Sequence, residues 1–252
     1  MYNSNDCGYS CTPSTSMYSA IQGYSSGISG GYSSGASSYT SQSSSNNSDM
    51  YSSQQSVQDF SPSFFVDDSV ESIETLPEQE TIVEHAKTTF QELTGQEFPE
   101  NISVSICDDT EFKKFLFSSG AKSSSGVLGF ALNRKGRGRS HVFVRKMSLP
   151  QIFVTLGHEI GHVITNQLSD VRDEEAKAFS FARAWTEKVK ELNIAGLDKF
   201  LRPQPALNGV HNVAFDFVER QVEEGKQSLQ LYIDIAKGDL KVEYLERIVV
   251  GG

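Results

Sequence analysis

The first sixty residues contain no lysine, no arginine and no glutamate, and their only acids are Asp6, Asp49 and Asp59. Twenty of those sixty residues are serine and seven are tyrosine, with few aliphatics among them. Such a stretch cannot bury enough apolar surface to offset the entropy lost on ordering, so residues 1–65 read as a disordered Ser/Gly/Tyr-rich tail. Its beginning also lacks the basic start and apolar core of a secretory signal. Cysteine is scarce and odd in number (Cys7, Cys11 and Cys107). That leaves no disulfide framework visible and points to free thiols in a reducing compartment. Long hydrophobic runs are missing too. The most apolar segment, Leu149 to Thr165, is interrupted by Gln151, His158, Glu159 and His162, and is too short and too polar to span a bilayer. The expectation is a cytoplasmic protein with no membrane partner. Net charge is −10, and the one basic cluster is Lys135-Gly136-Arg137-Gly138-Arg139. That cluster has the composition of a solvated hairpin turn, and no nucleic-acid partner is expected.

What remains is enough for one compact domain. Residues 66–77 form an acidic linker with Asp67, Asp68, Glu71 and Glu74, and the domain runs over 78–252. Ile82, Val83, Ala86 and Phe90 recur at helical spacing, and Gly95 and Pro99 end that helix. Ile102, Val104 and Ile106 alternate as in a strand, and Asp108 or Asp109 caps a short helix carrying Phe112, Phe115 and Leu116. Val127–Asn133 and His141–Lys146 read as an antiparallel hairpin. Ser148 with Gln151 starts a helix to about Asn166, Ser169 or Asp170 starts another to about Leu192, and a last helix covers about Val213 to Ala236. The fold class is α+β, a small sheet with helices packed on it.

The chemistry is concentrated in His158-Glu159-Ile160-Gly161-His162, an HExxH pattern. Histidines four apart on a helix share a face and can reach one metal ion. Glu159 stands where its carboxylate can serve as general base toward the water that such an ion activates. Helical projection places Ile152, Leu156, Ile160 and Val163 on one side and the histidines away from it, so one face lies in the core and another faces a cleft. Gly157 and Gly161 bare a strip of backbone on which another element can approach closely. A catalytic zinc site needs a third protein ligand. The next helix offers Asp173, Glu174 and Glu175 in its first turn, where acids also complement the helix dipole. Val171, Ala178, Ala182, Trp185 and Val189 define its buried face; Asp173 projects away, while Glu174 and Glu175 flank that face on opposite sides. Small Ala178 and Ala182 favour Glu175 as the third ligand, with Glu174 the alternative.

The HEIGH pentapeptide, followed by Glu175-Ala176-Lys177-Ala178-Phe179-Ser180-Phe181-Ala182, resembles the gluzincin metallopeptidases, in particular the compact ImmA/IrrE-type and minimal archaeal forms. The resemblance covers about residues 78–195. It implies a zincin-like domain, in which an active-site helix and a glutamate helix pack on a small, mostly antiparallel sheet. It also implies a Zn²⁺ site of His158, His162 and Glu175, with Glu159 catalytic, and an edge strand, Val127–Asn133, that pairs with a peptide or protein substrate. Many relatives carry Asn or Asp where this chain has Phe179, and the spacing from His162 to Glu175 demands a tight interhelical turn. An oxyanion stabiliser is also needed, for which His211, in the loop before the last helix, and Tyr232 are candidates. A zinc-dependent peptidase is thus expected. The alternatives are a zincin-fold regulatory module that keeps its zinc with little general proteolysis, or a structural zinc closed by a fourth ligand. Because the tail has no apolar periodicity to bury, deleting residues 1–65 should leave the melting midpoint of the remainder nearly unchanged. A drop of many degrees on calorimetry would show that it packs on the domain.

Overall fold

The computed structural model describes residues 76–120, 126–134, 138–201 and 209–242. The tail, most of the acidic linker, the Lys135–Arg137 turn and the chain from residue 243 lie outside them. The first helix, α1 (Gln79–Thr94), buries Ile82, Ala86 and Phe90 on one stripe and stops at Gly95, whose φ of 71° suits a residue without a side chain. β1 (Ile102–Cys107) follows, then α2 (Asp109–Ser118). Asp108 caps α2 by accepting the N–H groups of Thr110 and Glu111. The expected hairpin forms as β2 (Gly129–Leu132) and β3 (Ser140–Arg145).

These strands make a three-stranded sheet in the order β1-β3-β2. The expectation of a mostly antiparallel sheet is corrected here: β2 pairs antiparallel with β3, but β1 pairs parallel with it, from Ile102 opposite Ser140 to Cys107 opposite Arg145. The chain runs from β1 through α2 and β2 before β3, a crossover that lets β1 and β3 point the same way. Hydrophobic alternation fixes which face a side chain takes and carries no information about strand direction. β3 is central and covered on both faces. Val142 and Val144 enter the main core, while Phe143 joins Cys107, Phe112, Leu116, Val127 and Phe130 in a smaller aromatic core beneath α2. The buried Cys107 is a free thiol, pushed up to about 11 first by burial and then by the Glu111 and Asp108 charges.

Against the main face of the sheet lies α3 (Leu149–Val163), and α4 (Val171–Glu191) packs on α3. Gln151 anchors the start of α3 by accepting from the Ser148 N–H at 3.3 Å and the Ser148 hydroxyl at 2.9 Å. Asp170 caps α4 through the Arg172 N–H. Both helices are more enclosed than their periodicity suggested. α3 is buried on every side, its histidine face included, so the expected open cleft is absent among the described residues. α4 lies among α1, α3 and the two helices that follow, and is buried from Asp173 to Ala182. Val171, expected inside, is 42% exposed, while Asp173, expected outside, is buried and accepts the Val242 N–H at 2.7 Å. The single last helix is also corrected to two, α5 (Val210–Glu223) and α6 (Ser228–Lys237). Gly225, at φ 96°, divides them, with the Lys226 N–H closing back on the Gln221 carbonyl. No helix among the described residues is long and apolar enough to cross a membrane.

The α3–α4 contact rests on the two glycines. A methyl group at Gly161 would stand 3.0 Å from the Ala178 Cα, and one at Gly157 would stand 2.6 Å from Trp185 Cδ1. Trp185 is fully buried, so a shift of its indole has to be taken up by the surrounding core. Gly157→Ala should therefore destabilise the domain by about 1–3 kcal/mol, the usual cost of overpacking, although alanine is intrinsically the better helix former by about 1 kcal/mol. Chemical denaturation would measure it, and unchanged or increased stability would show that the indole moves freely.

Candidate metal centre

One helical turn separates His158 from His162, and α3 directs both rings to one point, with their Nε2 atoms 3.2 Å apart. α4 brings the third group. Its Ala178 sits on the Gly161 backbone, and Glu175, one turn earlier, reaches the same point. Glu175 Oε2 lies 3.4 Å from His158 Nε2, and Oε1 lies 4.0 Å from His162 Nε2. The three ligand atoms lie within 4.8 Å of one another, all on buried residues, close enough to hold one metal ion. The pairing of Gly161 with Ala178 is the close approach expected from the small residues.

Electrostatics suit a cation. Burial drives His158 down to about 4, against the contact with Glu175 that would raise it. Burial would raise Glu175, but the close His158, His211 and His162 imidazoles together bring it down to about 2. Near neutral pH this gives a neutral His158 imidazole and an anionic Glu175 carboxylate, the protonation states in which such groups ligate metal.

Glu159 occupies the next position on α3, fully buried. Neither of its carboxylate oxygens has a hydrogen-bond partner among the described residues, nor does the Thr155 hydroxyl one turn earlier. Burial, and then the Glu175 charge, push the Glu159 carboxyl well above the ordinary carboxylate range. The β2 backbone runs directly alongside: a methyl at Gly129 would lie 3.0 Å from Glu159 Oε1 and 2.5 Å from Thr155 Cγ2. A polar group buried without a partner costs about 1–3 kcal/mol, so a carboxylate left in this state beside a His/His/Glu cage fits a centre that handles water or a polar substrate.

The alternative ligand, Glu174, is placed differently. Its Oε1 lies 2.8 Å from His162 Nδ1, the ring nitrogen on the side away from the cage. Its Oε2 accepts the Leu168 N–H at 2.7 Å and the Lys177 ammonium at 2.8 Å. Glu174 is 1% exposed, so it is no surface partner of the helix dipole. His211 falls in the first turn of α5 rather than in a loop, with Nε2 3.2 Å from Glu175 Oε2. Tyr232, on α6, places its hydroxyl 3.0 Å from the Thr165 hydroxyl and 3.4 Å from the Gly161 carbonyl, and so braces the end of α3. Phe179 rests on His158, with ring centroids 4.6 Å apart.

Two contributors gave no sequence signal. Asn133, just past β2, donates to the His162 and Thr165 carbonyls at 2.6 and 2.7 Å, satisfying the open C-terminal end of α3. Lys177 is fully buried, and a lysine on a helix ordinarily reads as surface. Comparison with protein-family models, curated proteins and solved structures finds no match to this chain.

A metal titration tests the cage. Zinc should bind at about one ion per chain, and His158→Ala, His162→Ala or Glu175→Gln should each weaken it by about tenfold or more, because two remaining ligands hold zinc poorly. Undiminished binding by Glu175→Gln would remove that residue from the set.

Proposed function

We propose that the chain is a zinc-dependent metallopeptidase of the gluzincin type, acting on peptide or protein substrates. The observation that carries this reading is the Glu159 carboxylate, buried and without a hydrogen-bond partner among the described residues, directly beside the His158/His162/Glu175 cage. A nitrogen-and-carboxylate donor set of this kind suits zinc. Zinc held there would supply Lewis-acid activation of water and of the scissile carbonyl. Glu159 takes a proton from the attacking water and returns it to the leaving amine. β2 stands at the edge of the sheet, pairing with β3 on one side, and an extended peptide added to its other side would run past Glu159. Gly129, having no side chain, lets the β2 backbone lie close against Thr155 and Glu159. His211, already at the Glu175 carboxylate, is the candidate for steadying the oxyanion, since the Tyr232 hydroxyl is engaged with Thr165 and Gly161.

One observation favours a second reading, a regulatory module of the same fold that keeps zinc and cleaves little. His158, Glu159, His162, Glu175 and His211 are all buried, so a substrate reaches them after part of the domain moves. Glu159→Gln separates the two. For a peptidase, the variant should bind zinc as the wild type does and lose cleavage of an unfolded protein by about a hundredfold or more, the usual worth of a general base. A zinc-loaded wild type that leaves both a peptide library and unfolded protein intact would sink the peptidase reading in favour of the regulatory one. A variant that loses zinc as well would show that Glu159 is a ligand.

A further inference from the structure

Glu174 and Lys177 form an ion pair of 2.8 Å with side chains 1% and 0% exposed. Burying two opposite charges costs more than burying two apolar side chains of the same size unless further hydrogen bonds use their remaining atoms. Those atoms are used in two directions. Glu174 Oε2 takes the Lys177 ammonium and the Leu168 N–H, and Lys177 reaches on to the Asn166 carbonyl at 3.0 Å, so one carboxylate oxygen is anchored to the turn between α3 and α4. The other, Oε1, faces His162 Nδ1 at 2.8 Å. An imidazole that donates its Nδ1–H to a carboxylate carries its lone pair on Nε2. In His162 that is the nitrogen 3.2 Å from His158 Nε2 and 4.0 Å from Glu175 Oε1.

We propose that Glu174, anchored by Lys177, is the positioning residue for His162, fixing its Nδ1–H tautomer and its ring orientation so that Nε2 faces the metal cage. The role rests on the reading of the cage as a metal centre, and it gives the two adjacent glutamates of α4 separate tasks: Glu175 supplies a ligand atom and Glu174 aims one. A carboxylate behind a ligating histidine raises the basicity of that ligand, and its removal typically costs about 10–100-fold in metal affinity. The competing account is that the pair only staples the interhelical turn, and the two accounts differ in what they expect of His162.

The experiment compares the wild-type chain with the double variant Glu174→Leu/Lys177→Met, which replaces the pair by apolar side chains and leaves no charge stranded. Nitrogen-15 imidazole spectra of the metal-free protein, at about pH 8 so that histidine is neutral, should show His162 in the Nδ1–H form in the wild type. In the variant it should shift toward the Nε2–H form that histidine favours in water. Zinc titration should show affinity falling by about 10–100-fold in the variant with the binding stoichiometry kept. A wild-type His162 in the Nε2–H form overturns the proposal without any variant. So does a double variant that binds zinc within about threefold of wild type, a difference too small for a lost ligand-orienting bond. If the wild type takes up no zinc, the metal-centre reading fails, and the tautomer comparison still decides whether Glu174 positions His162.

Discussion

Everything at this site depends on how closely two helices can approach. α3 carries two imidazoles and α4 carries a carboxylate, and their ligand atoms meet because the Gly161 backbone lies against Ala178 with no side chain between. The contact is dispersive and steric rather than polar, and the chemistry is built on its geometry. Trp185 against Gly157 fixes the same interface one turn away, so the two helices are held at two points along their length and cannot easily pivot. Tyr232 from α6 adds a polar brace at the far end, and Asn133 adds one from the sheet.

Burial then sets the charge states. Three glutamates, 159, 174 and 175, are almost wholly withdrawn from water within one small volume, and each is handled differently. Glu174 meets a lysine, an imidazole and a backbone N–H. Glu175 sits among imidazoles that bring its pKa down to about 2, although burial would raise it. Glu159 has no such support and is pushed the other way. The same burial thus acts on three neighbouring carboxyl groups with opposite results, set by what each one touches.

The parts legible from sequence were those that depend on a helix's own periodicity. His158, Glu159 and His162 share a helix by spacing alone, and the bare strip at Gly157 and Gly161 announced a close neighbour. Ala178 pointed to Glu175 for the same reason. What failed was everything that depends on partners from elsewhere in the chain. Asp173 is inside because residue 242 returns to meet it, a contact some seventy residues away that no projection of α4 can anticipate. The parallel pairing of β1 depends on a crossover through α2 and β2. The break at Gly225 was in principle readable, since a glycine near the middle of an apolar-periodic stretch is a common helix stop, but the periodicity on either side masked it. Lys177 gave no signal of its burial, because helix propensity and charge say nothing about a helix with neighbours on nearly every side.

The two bonds from Asn133 make the edge strand and the end of the ligand helix one mechanical unit. The amide follows β2 directly in the chain, and it holds the carbonyl of His162 itself. A sliding of β2 along its own axis cannot leave that carbonyl where it is without losing a short hydrogen bond at the C-terminal end of α3. A shift of β2 is therefore felt at the backbone that carries the second imidazole, and strand register and the place of His162 are linked.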